Sequence, residues 1–88
     1  MKWLEIIKRL GESAKDDEEK ELLGDYFERL RTMVRRECTE EELEHRFCLM
    51  MAGYIMRYVT KQVDYSKTNA EYYLTFLRSR LQRKAVTA

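Results

Sequence analysis

Residues 39–62 read TEEELEHRFCLMMAGYIMRYVTKQ, and this stretch decides the fold class. Thr39-Glu40-Glu41-Glu42 has the form of a capping box. The Thr39 hydroxyl can accept from the Glu42 amide while the Glu42 carboxylate reaches back, which fixes a helix start. Cys38 and Leu43 stand where a hydrophobic staple would place them. From there Leu43, Phe47, Met50, Tyr54 and Tyr58 recur at helical spacing, flanked by Met51, Ile55 and Val59. Within 47–59 only Arg57 is charged. A helix apolar round most of its circumference is a buried helix rather than an amphipathic surface one.

Outward from this segment the same period continues. Residues 17–37 open on the acids Asp16, Asp17, Glu18 and Glu19, close on Arg35 and Arg36, and carry a broad stripe through Leu22, Leu23, Tyr26, Phe27, Leu30, Met33 and Val34. Residues 2–14 place Trp3, Ile7, Leu10 and Ala14 on one face. Residues 69–84 follow a second box-like start, Thr68-Asn69-Ala70-Glu71, and set Ala70, Tyr73, Leu74, Leu77 and Leu81 inward. The expectation is an all-α single domain: a small bundle of about four antiparallel amphipathic helices over 2–14, 17–37, 40–62 and 69–84. The two long helices would form a central hairpin, with the first and last packed across it. With no proline and three glycines in 88 residues, the turns that a sandwich or barrel requires are missing.

Seventeen basic and sixteen acidic side chains leave a net charge of +1, so no global field draws the chain to nucleic acid or to an anionic membrane. The balance is uneven: residues 67–88 hold five bases and one acid. Helix ends collect bases in any case. Cys38 and Cys48 lack CxxC spacing. On one helix their Cα atoms would stand about 15 Å apart, beyond disulfide reach. Free thiols and a cytoplasmic location are the expectation. The amino-terminal residues make a poor signal peptide, and no apolar run approaches the roughly 20 residues of a membrane span.

Motifs for chemistry are weak. His45 is the single histidine, and Glu42-x-x-His45 copies one half of a carboxylate-bridged di-metal pattern. The helical wheel puts His45 about 150° from the core stripe, facing away from where such a site is built. Glu41, His45 and Cys48 could gather on one surface, a triplet common by chance. Cys48 one turn from His45 has neither an orienting third group nor an oxyanion donor in the pattern. The expectation is a non-enzyme without metal or cofactor.

What remains is a surface. Leu49, Ala52, Gly53 and Met56 lie behind the main stripe of the third helix, where a four-helix domain has few segments left to cover them. They point either to a homodimer seam or partner groove, or to a face wrapped by the first or last helix. A second surface is Tyr72, Phe76 and Arg83, with Arg80 beside them, opposite the core face of the last helix. Aromatics with arginine suit a protein hot spot, and also phosphate contacts and base stacking. Packing against a neighbouring helix accounts for them equally. The functional expectation is a small helical interaction module with a protein partner, a regulator, inhibitor or adaptor that self-associates. The alternative is a nucleic-acid binder using the basic last helix.

Overall fold

A computed structural model describes residues 2–87, with side chains described for all of these except residue 79 and residues 82–87. They form four α-helices: α1 (Lys2–Glu12), α2 (Asp17–Arg35), α3 (Glu40–Tyr58) and α4 (Ala70–Thr87). The Cα radius of gyration is 12.6 Å, close to the roughly 12 Å expected of a compact chain this long.

Each helix boundary has a local cause. At the start of α2, Asp16 in extended conformation accepts the Glu19 amide at 2.8 Å. Helix α2 ends in a Schellman reversal: Cys38 N–H donates to the Met33 carbonyl and Glu37 N–H to that of Val34. Glu37 occupies the left-handed position there, at φ 58°. The Thr39 capping box is present, with Glu42 N–H donating to Thr39 Oγ1 (3.1 Å) and Thr39 N–H to Glu42 Oε1 (3.2 Å).

The helix starts match the sequence reading to within a residue, but every end departs from it: α1 closes at Glu12 rather than 14, α2 at Arg35 rather than 37, and α4 runs to Thr87 rather than 84. Helix α3 ends at Tyr58, not near Gln62, because Arg80 of α4 donates to the Tyr58 carbonyl at 2.7 Å and the Thr60 amide turns back to the Ile55 carbonyl. An exposed helix end would leave that carbonyl to water. Helix α4 begins with a different cap from the one expected. Asn69 Oδ1 accepts the Glu71 amide (2.7 Å), and Glu44, reaching from α3, accepts the Ala70 amide (3.0 Å). The connection is accordingly residues 59–69. Tyr72 and Tyr73 tie it down: Asp64 N–H donates to the Tyr72 hydroxyl and the Tyr73 hydroxyl donates to the Lys67 carbonyl.

Helices α2 and α3 run antiparallel along their length, as Glu18 beside Arg57 and Tyr26 beside Gly53 show, but they are not the most closely packed pair. Helix α1 lies closely along α2, and α3 along α4, while α2 and α3 touch far more sparingly. Helix α3 is nonetheless the core helix, burying Leu43, Phe47, Cys48, Met50, Met51, Ala52, Tyr54 and Ile55. Phe47 stacks on Trp3 of α1 with ring centroids 4.7 Å apart, a pairing worth about 0.5–1.5 kcal/mol beyond its burial. Leu10, Leu23, Leu30 and Leu77 close the core at 0–1% exposure. Truncating any of them to alanine would cost about 2–5 kcal/mol.

Candidate interaction surface

The outer side of α3 is open over a narrower arc than the sequence suggests. At 100° per residue the buried positions run from Met50 round to Ala52, about 200° of the circumference. Ala52, expected on the open face, is enclosed at 1% exposure. Leu49 stands 51% exposed, Gly53 is exposed and Met56 half-buried. The open strip therefore reads Leu49–Gly53–Met56, bordered by the exposed Glu42, His45 and Arg57.

Beside this strip runs the gap between α2 and α3. One end is a depression of about 450 Å³ lined by Met33 of α2 and by Glu41, Glu42, His45 and Arg46 of α3. The other is a depression of about 280 Å³ lined by Glu18, Glu21, Leu22 and Asp25 of α2 and by Arg57 and Tyr58 of α3. Between the two ends the helices approach where α3 has no side chain: a Cβ built on Gly53 would lie 3.7 Å from the Tyr26 hydroxyl. Leu22, Tyr26 and Met33 are half-buried along this line. Burial, with the Asp25 carboxylate adding to it, holds the Tyr26 hydroxyl above its ordinary range, so it is a neutral donor. Glu18 forms an exposed ion pair with Arg57 across the gap.

The second expected surface dissolves in part. Arg80 does not face solvent. It turns under α4 and donates to both carboxylate oxygens of Glu19, at 3.3 and 3.1 Å. The pair is 16% exposed at the arginine and 3% at the glutamate. The Tyr54 hydroxyl donates to Glu19 Oε2 at 3.1 Å, and the guanidinium carbon lies 5.8 Å from the centre of the Tyr54 ring. Burial raises the Tyr54 pKa; Arg80 pulls it down and Glu19 pushes it further up, so the hydroxyl stays a donor to the carboxylate. Tyr72 and Phe76 are half-buried and lie edge to face at 5.3 Å. The Arg83 side chain lies outside the described residues. Arg78, exposed, pairs with Glu71 at 3.1 Å.

Reading the sequence alone missed the Glu19–Arg80–Tyr54 junction. A signal existed: Glu19 precedes Leu23 by one turn and Arg80 follows Leu77 by one turn, so both continue core stripes. Four consecutive acids at a helix start disguised the first, and the basic end of α4 disguised the second.

Neither cysteine is in a disulfide. Burial, reinforced by the Glu44 carboxylate, pushes the Cys48 thiol up to about 11, which keeps it a protonated, unreactive packing group. His45 and Glu42 are exposed. Among the described residues, no three His, Cys, Asp or Glu side chains gather as a metal site would need, and no helix is long and apolar enough to cross a membrane. No protein-family model matches the chain, and no curated protein or solved structure shows significant similarity to it.

Proposed function

We propose that this chain is a small helical interaction module, one that acts by occupying another macromolecule rather than by catalysis, as a regulator, inhibitor or adaptor would. The observation that carries the reading is Leu49. A leucine half exposed at the middle of the core helix, beside an exposed glycine and a half-buried methionine, gives that helix an apolar strip its own neighbours leave uncovered. Apolar side chains beside glycine suit close approach of a second helix, and methionine adapts to irregular partners.

The occupant is either a second copy of the chain or a different protein, and light scattering after gel filtration separates these. Self-association predicts a dimer that Met56→Glu or Leu49→Glu dissociates. A monomer at high micromolar concentration that Met56→Glu leaves unchanged removes it. A foreign partner predicts one stoichiometric protein recovered with the tagged chain from its own cell and lost with Leu49→Glu. If neither substitution alters any association, the strip is not the docking surface. A nucleic-acid role has less to work with, because Arg80 is committed to the buried Glu19.

A further inference from the structure

The gap between α2 and α3 is acidic in a molecule that is not. Its two ends are lined by five carboxylates against two guanidiniums, whereas the whole chain carries +1. The carboxylates sit on the rims: Glu18, Glu21 and Asp25 along α2, Glu41 and Glu42 at the start of α3, all exposed. Glu18 is paired with Arg57 and Asp25 with Arg29, whose guanidinium is the third along the gap and still leaves the carboxylates in excess. The floor between them is apolar and shallow, formed by Leu22, Tyr26 and Met33 with Gly53. Leu49 and Met56 stand one turn either side of Gly53 on the adjoining strip. At the narrower end the Tyr58 hydroxyl is buried and makes no hydrogen bond.

We infer that this gap receives an amphipathic, basic helix from a partner protein. Its apolar stripe would lie over Leu22, Tyr26, Gly53 and Leu49, and its lysines or arginines would reach the carboxylate rims. Two 19-residue helices in sparing contact form the groove, and a third helix laid into such a groove buries the apolar sides of both. Charge selects among occupants. Both ends of the groove carry more carboxylates than guanidiniums, so a second copy docked groove to groove would set acid against acid in either direction, a juxtaposition that repels. An acidic helix meets the same objection. The inference rests on the reading of the α3 strip as a docking surface and adds the identity of what docks there.

The test uses the whole chain and two synthetic peptides of about 18 residues, each with leucines at helical spacing. One carries lysine at its remaining positions and the other glutamate. The lysine peptide is expected to bind with amide resonance shifts centred on Leu22, Tyr26 and Gly53. Affinity should fall as salt rises, since exposed charges are screened beyond about 8 Å at physiological ionic strength. The glutamate peptide should bind at least about tenfold more weakly. Glu18→Lys combined with Glu21→Lys, both on an exposed rim, should weaken the lysine peptide about tenfold or more. Gly53→Met should fill the floor and do the same. If Gly53→Met disturbs the fold, the rim variant alone decides. Equal binding of the two peptides, shifts centred away from the α2–α3 gap, or no binding of the lysine peptide would overturn the inference. So would a homodimer that Gly53→Met dissociates, although that result would leave the interaction-module reading standing.

Discussion

Glu18 and Glu19 are neighbours in sequence, and each pairs with an arginine on another helix, yet the two pairs belong to different physical regimes. Glu18 meets Arg57 at the surface, with side chains 68% and 58% exposed. Glu19 meets Arg80 at the junction of α2, α3 and α4, where the carboxylate is 3% exposed. The outer pair is bathed in water, carries little net energy and can exchange partners. The inner pair is desolvated and held by the Tyr54 hydroxyl and the Tyr58 carbonyl, so each member depends on the other. A single residue step, about 100° of rotation round α2, thus separates a charge that can recognise from a charge that only holds the fold.

This contrast can be broken from the inside first. Arg80→Met strands the Glu19 carboxylate and should lower stability by about 3 kcal/mol, toward the low end for a buried pair because the guanidinium is partly wet. Urea unfolding measures it. The double variant Glu19→Leu with Arg80→Met should recover most of that loss; a double variant as unstable as the single one would mean that the ion pair itself is stabilising. Tyr54→Phe removes one hydrogen bond to a charged acceptor and should cost about 1.5–3 kcal/mol, read the same way.

Smaller effects sharpen the outer side of the comparison. Gly53→Ala adds a Cβ in ordinary contact with the Tyr26 hydroxyl and should raise stability by about 0.8–1 kcal/mol through helix propensity. Gly24→Ala, in open space on α2, should give a similar gain and serves as the control. Glu18→Gln should change stability by less than about 1 kcal/mol, whereas Glu19→Gln should exceed it clearly. Equal effects at the two positions in thermal unfolding would erase the distinction between surface and junction.

Most of the fold was legible because it rests on local chemistry. The Thr39 box, the acids before Leu22 and the 3.6-residue stripes mark four helices, each start lying within a residue of its place in the structure. What pattern does not contain is the identity of the neighbour across the core. The end of α3 depends on Arg80, which no window around Tyr58 includes. How closely each pair packs was not legible for the same reason: stripe width gives the buried arc but not which helix fills it, and α3 meets α1, α2 and α4 round one continuous arc. On the candidate surface, Leu49 and Gly53 were readable as the remote side of the stripe. Ala52 was not, since it lies at the margin of an arc about 200° wide.

Glu19 and Arg80 are 61 residues apart in the chain. At a synthesis rate of about 5–20 residues per second, the carboxylate waits roughly 3–12 s before its guanidinium exists. Until then Tyr54 and Glu19 have no cation to gather round, and water hydrating that carboxylate resists closure of the surrounding leucines. The junction of α2, α3 and α4 is therefore a part of the core that can close only late in synthesis.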